Sequence, residues 1–155
     1  MAFDYHTFSD GGSRGNPGQA ACAAVITDAQ GKILKESAKL LGVTTNNVAE
    51  YNGMLLALEL AQELRAHRVL CTSDSQLIVF QLQGIYRIKD LRLKTLAEKV
   101  QSLAKGFTQV QFRQVPRSHP MIARADAVLN QAMDRARHKL QSDPKAEPPG
   151  QREFF

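Results

Sequence analysis

Four of the fifteen acidic side chains stand where a solvated surface charge is a poor explanation. Asp10 closes a short apolar stretch and opens onto glycines, and Asp74 sits between two serines directly after Arg68-Val69-Leu70-Cys71-Thr72. Glu50 is flanked by Val48, Ala49 and Tyr51, and Asp126 by Ala125 and Ala127, so both interrupt small or apolar runs. Gathered at one place, four carboxylates repel one another and raise each other's pKa, a cost that folding alone does not explain and that a bound divalent cation removes. An all-oxygen ligand set without cysteine or a paired histidine selects a hard ion, magnesium first and manganese second. The chemistry to expect of such a cluster is metal-assisted work on a phosphate or another anionic oxygen centre. Cys22 and Cys71 each lie inside an apolar run and read as small buried thiols, not as zinc ligands or a disulfide.

These acids need a scaffold that brings them to one edge. Residues 3–9, 20–27 and 32–38 have strand composition and are separated by Gly11-Gly12-Ser13-Arg14-Gly15-Asn16-Pro17-Gly18 and by Asp28-Ala29-Gln30-Gly31, which reads as a three-stranded meander. Helical spacing takes over at about 46–66, followed by a strand at 68–72 and a helix at about 75–83 that Ser73-Asp74-Ser75 can cap. A further helix over about 90–105 ends at Gly106, a fifth strand covers 107–115, and after a loop at 116–121 a last helix covers about 122–140. The order β-β-β-α-β-α-α-β-α describes an α/β fold with a mixed five-stranded sheet. In such sheets, strand ends and the helix starts beside them meet at one edge, where sites form. Asp10 and Asp74 are then strand-end residues, and Glu50 and Asp126 lie in the first turn or so of their helices.

The 155 residues suit one domain over 1–140, with a proline-containing tail over 141–155 in which Phe154 and Phe155 could dock on a surface. No run of about 18 apolar residues is present, and the first residues lack a basic region before an apolar one, so a cytoplasmic protein without membrane contact is expected. Residues 1–66 carry a net charge of −2 and residues 67–155 a net +7, an asymmetry compatible with a polyanionic partner.

Asp10–Gly18 (DGGSRGNPG), Thr44–Tyr51 (TTNNVAEY), Ser73–Gln76 (SDSQ) and Ala123–Asn130 (ARADAVLN) resemble, in order, the four signature blocks of ribonuclease H type 1. One acidic residue falls in each block, and the resemblance covers roughly residues 1–140. It implies the ribonuclease H-like fold with helices on both sheet faces, and an endonuclease that cuts the RNA strand of RNA–DNA hybrids using two magnesium ions, with manganese as a substitute. Asp10 would bridge the two ions, Glu50 and Asp74 would each hold one, and Asp126 would complete the water-activating site, leaving 5′-phosphate and 3′-hydroxyl ends. Asn16, Asn46, Asn47 and Gln76 match groove-contacting positions, Ser13 and Gly15 would offer backbone carbonyls to 2′-hydroxyls, and Thr45 matches a residue that helps hold a DNA-strand phosphate. No obligate protein partner is implied, and a monomer is expected.

The family's bacterial members often carry a basic, tryptophan-rich protrusion, but here Gly84–Asp90 is all that lies between the second and third helices, and the chain has no Trp. Hybrid affinity must then lean on Arg87, Lys89, Arg92 and Lys94. His119, in the loop before Asp126, is a candidate proton carrier. The two rival readings are another nuclease on the same fold and a non-catalytic hybrid-binding module.

Overall fold

In a computed structural model, residues 2–142 are described, and the elements are β1 (Tyr5–Arg14), β2 (Gly18–Asp28), β3 (Ile33–Thr44), α1 (Asn46–Glu63), β4 (Arg68–Ser73), α2 (Gln76–Leu82), α3 (Leu91–Ala104), β5 (Gln109–Gln114) and α4 (Pro120–Ser142). One sheet runs in the order β3-β2-β1-β4-β5, with β1, β2 and β3 antiparallel and β1, β4 and β5 parallel. The expected α/β architecture is present. Segment 143–155, with Phe154 and Phe155, lies outside the described residues.

Side-chain alternation puts helices on both faces. Ala24 and Ile26 of β2 join the main core with Tyr51, Met54 and Leu58 of α1, whereas Ala21 and Ala23 face Leu129 and Met133 of α4. A strand buried on both faces reads as a continuous apolar run, which is why Ala20–Thr27 is buried without a break. Its alanines keep both helices close to the sheet. Helix α1 covers the sheet and is itself covered by α3, so its buried residues lie on more than one side: Val48, Tyr51, Met54, Leu58 and Ala61 among them.

Of the boundaries that differ from the sequence reading, three have a clear physical reason. Gly11–Arg14 is strand, not turn: β1 continues past Asp10 in register with β2, from Asp10↔Ala23 to Arg14↔Gln19, and only residues 15–17 turn. Gly15, at φ +87°, takes the left-handed conformation this tight reversal needs. Strand β3 runs on to Thr44 because it follows β2 to the same end of the sheet. Helix α4 starts at Pro120, two residues early, because proline fits the first helical position, where its missing N–H costs nothing.

Candidate active site

The parallel pairing of β1 with β4 ends at Ser9↔Ser73, so Asp10 and Asp74 are the next residues on neighbouring strands, side by side where the pairing stops. Glu50 comes from the second turn of α1, which lies unusually close to β1. A Cβ on Gly11 would stand 2.2 Å from the Ala49 carbonyl carbon and 2.4 Å from the Glu50 nitrogen, and one on Gly53 would stand 2.8 Å from the Asp10 carbonyl oxygen. Both glycines are demanded by this contact, and the contact carries Glu50 to Asp10. Asp126 reaches the same cleft from the far face of the sheet, on the second turn of α4.

Ligand oxygens of Asp10, Glu50 and Asp74 lie within 4.8 Å of one another. Asp126 lines the same cleft, of about 480 Å³, close enough for its charge to act on Asp10. Asp10 is 8% exposed. Burial first, then the charges of Asp74 and Asp126, push its carboxyl up to about 7, although the Gly11 N–H donating to Oδ1 at 3.0 Å works the other way. Burial, with Asp10 and Asp74 nearby, holds Glu50 well above the usual carboxylate range. Asp74 is raised by burial, and Arg117 opposes the shift.

Glu50 Oε2 and Asp74 Oδ1 are buried and accept no hydrogen bond. Buried carboxylate oxygens without donors are costly unless a cation meets them. The all-oxygen donor set, its proximity and these orphaned lone pairs fit a hard divalent ion. A wider groove of about 1070 Å³ between β3, α1 and α3 contains a single carboxylate, Glu59, and no converging acids, so the smaller cleft is the chemical one.

The glycine-rich hairpin is fastened to the start of α1. Ser13 donates from N and Oγ to Asn46 Oδ1 at 2.9 Å each, and the Asn46 N–H donates to Asn16 Oδ1 at 3.1 Å. Ser13, Asn46 and Asn47 line the cleft, while Gly15 and Asn16 form the hairpin tip beside it. Thr45 is the N-cap of α1, its hydroxyl accepting from the Val48 N–H at 3.3 Å. Gln76 opens α2 two residues after Asp74 and donates to the Tyr86 hydroxyl at 3.2 Å.

The β5–α4 loop holds a group the sequence reading missed. His119 does not line the cleft: its ring stacks on Phe8 with centroids 5.2 Å apart, and its Nδ1 accepts from the Met121 N–H at the start of α4. Arg117 from the same loop does line it, and its charge acts on Asp74. A single cation between Pro116 and Ser118 was the available signal. Arg14 also reaches the cleft wall, bonded to Asn130 at 3.3 Å and Asp134 at 2.6 Å on α4.

A family profile described as reverse transcriptase-like matches residues 8–129. The RNase H1 of the halophilic archaeon Halobacterium salinarum superposes with a TM-score of 0.82 at 37% identity, over 85% of this chain and 98% of that structure. The chain belongs to the ribonuclease H type 1 family. Another ribonuclease H type 1 structure, the LC11 RNase H1 in complex with an RNA/DNA hybrid, superposes with a TM-score of 0.80 at 39% identity, over 85% of this chain and 98% of that one. A bifunctional protein of Mycobacterium tuberculosis is 39% identical over 136 residues, 87% of this chain. The chain spans 37% of the mycobacterial protein's length and 65% of the length of the Halobacterium protein named ribonuclease HI. Among the described residues, no helix is long and apolar enough to cross a membrane.

Proposed function

We propose that this chain is an endoribonuclease that hydrolyses the RNA strand of RNA–DNA hybrids with two divalent ions, magnesium in preference to manganese, leaving 5′-phosphate and 3′-hydroxyl ends. The observation that carries the reading is the convergence of Asp10, Glu50 and Asp74 within 4.8 Å, with buried oxygens that no donor satisfies. Asp10, central to the cluster, would bridge the ions, Glu50 and Asp74 would each hold one, and Asp126 would complete the set. Bound there, the ions would polarise the phosphodiester and lower the pKa of the attacking water.

The chain's own groups position the strand and balance charge. Water adds to phosphorus, the P–O3′ bond breaks, and the proton passes to the departing oxygen through solvent. Arg117 stands at the Asp74 side of the cleft, where a guanidinium meets the extra negative charge of the transition state. Asn46 uses its carbonyl on Ser13, leaving its amide N–H donors for the minor-groove edge of the substrate. Asn16, Asn47 and Gln76 are assigned to the same groove edge, the backbone carbonyls of Ser13 and Gly15 to 2′-hydroxyls, and Thr45 to a DNA-strand phosphate. Recognition by 2′-hydroxyl and groove shape requires no sequence preference. The hybrid-bound LC11 relative supports this substrate. All four carboxylates come from one chain, so the reading needs no second subunit. A pure binding module would gain nothing from negative charge placed where a phosphate must sit.

The test is product chemistry: a hybrid with 5′-labelled RNA is incubated with Mg²⁺ and the wild-type or Asp74→Asn protein. The reading expects internal cuts whose 3′ ends a polymerase extends, and a loss of at least 100-fold in the variant. Ends that cannot be extended, or an unimpaired variant, would overturn it.

A further inference from the structure

Asp126 comes to the cleft on α4, from the far face of the sheet, and its place beside Asp10 has to be set across that face. Ile122 seats the first turn of the helix against Phe8 and Val115. Beyond it, Leu129 and Met133 rest on Ala21 and Ala23 of β2, small side chains that offer a helix little to key into. Arg124 pairs with Glu36, which refers the helix to β3 and not to the strand that carries Asp10. Hydrogen bonds are directional, and they fix what apolar contacts leave free to slide.

Asp126, Asn130 and Asp134 recur every four residues and form one stripe along α4. Arg14, the last residue of β1, reaches two of them: its Nη2 donates to Asn130 Oδ1 at 3.3 Å and to Asp134 Oδ1 at 2.6 Å. Asn130 in turn donates from Nδ2 to the Asp126 carbonyl at 2.9 Å. Two hydrogen bonds in series thus run from the guanidinium to the backbone of Asp126. The base of this relay is rigid, because Arg14 is paired with Gln19 across the hairpin and a Cβ on Gly18 would stand 2.1 Å from the Arg14 carbonyl oxygen. Ser13, the residue before, donates to Asn46 at the start of α1. The end of β1 therefore ties together the two helices that bring Glu50 and Asp126 to the cleft.

We propose that Arg14 is a positioning residue: through Asn130 it holds the Asp126 carboxylate where, together with Asp10, it can serve a divalent ion. The side chains of Arg14 and Asp134 are 38% and 66% exposed, and an ion pair this open contributes little to stability. Its consequence is geometric, the register of α4 against β1. The inference rests on the metal-dependent reading above and adds to it a residue that acts on the site through another.

Mg²⁺ binding without substrate, followed by the amide NMR shifts of Asp126 and Asn130, is compared with hybrid cleavage for wild type, Arg14→Met, Arg14→Lys, Asn130→Ala and Arg14→Met/Asn130→Ala. Melting should fall by no more than about 3 °C in the Arg14 variants, because an exposed ion pair carries little stability. Arg14→Met should raise the Mg²⁺ midpoint and lower kcat by about tenfold each, with KM nearly unchanged, as loss of a group that orients a metal ligand does. Arg14→Lys should recover part of both, since an ammonium still reaches one acceptor. The double variant should lose no more than the worse of the single ones, because both act through one relay. Losses that multiply to about a hundredfold would show two independent roles and overturn the proposal. So would a Mg²⁺ midpoint and kcat unchanged in Arg14→Met, or a rise in KM alone, which would place Arg14 on the substrate. The midpoint is read without hybrid, so a wild type that binds Mg²⁺ and cleaves no hybrid would remove the nuclease reading, while a raised midpoint in Arg14→Met would still support the relay.

Discussion

Replacing Asp10 by asparagine separates what the carboxylate cluster costs the fold from what it does for chemistry. The Asp10 carboxyl is pushed from an ordinary 3.8 up to about 7 by burial and by Asp74 and Asp126. A raised carboxyl pKa means that the native state prefers the protonated form. The associated stability is complete below about pH 4, is lost as pH rises toward 7, and is fully absent above it. A shift of roughly three units at 1.36 kcal/mol each sets a ceiling of about 4 kcal/mol on that loss. Asparagine keeps the acceptor for the Gly11 N–H and removes the charge. Without divalent ions, Asp10→Asn should therefore unfold at the same urea concentration as wild type at pH 4 and be about 2–4 kcal/mol more stable at pH 8. Urea denaturation in EDTA at half-unit pH steps measures the difference directly. Adding Mg²⁺ at pH 8 should stabilise the wild type and leave the variant nearly unmoved, because a ligand that binds only the native state shifts unfolding by its binding free energy. A stability difference that is absent at pH 8, or that is the same at every pH, would refute the electrostatic origin of the cluster's cost.

Other substitutions follow from particular contacts. Arg117→Gln should lower kcat about 10- to 100-fold on hybrid substrate with little change in melting temperature, whereas a merely solvated arginine would leave kcat alone. His119→Ala should keep kcat within about threefold and cost about 1 kcal/mol in urea, since the imidazole caps α4 and stacks on Phe8; a hundredfold loss of turnover would restore it to the chemistry. Gly11→Ala should destabilise by about 3 kcal/mol or fail to fold, because the new methyl meets α1 backbone at 2.2 Å and nothing flexible can yield; a thermal melt within a degree of wild type would contradict this. Thr45→Ala should cost about 1 kcal/mol of stability by uncapping α1, readable by the same melts.

The four carboxylates were legible because each interrupts small or apolar neighbours at the end of a periodic segment, a local pattern that a tertiary cluster leaves behind. The limits of β1 were not. Gly11 and Gly12 carry the composition of a turn, yet Gly11 is glycine because α1 lies against it, a constraint written 38 residues away at Ala49 and invisible in local periodicity. Pro120 is ambiguous for a related reason: inside a helix it breaks hydrogen bonding, but at the first position it begins one, and the choice depends on the His119 cap. His119 and Arg117 are two residues apart in one loop, and only the folded loop decides that the histidine turns to Phe8 while the arginine faces Asp74. Asn46 matches a substrate-contacting position in the sequence, and only the fold reveals that its side chain also ties the hairpin to the helix while Thr45 holds the cap.

What matters most is whether this carboxylate cleft hydrolyses RNA only when the RNA is paired with DNA. Matched RNA–DNA, RNA–RNA and DNA–DNA duplexes, each labelled on one strand at a time and incubated with the protein in Mg²⁺ or in EDTA, decide the point. Cuts are expected in the RNA strand of the hybrid alone, and in Mg²⁺ alone; cleavage of duplex DNA, or cleavage of the hybrid that persists in EDTA, would contradict the proposed function.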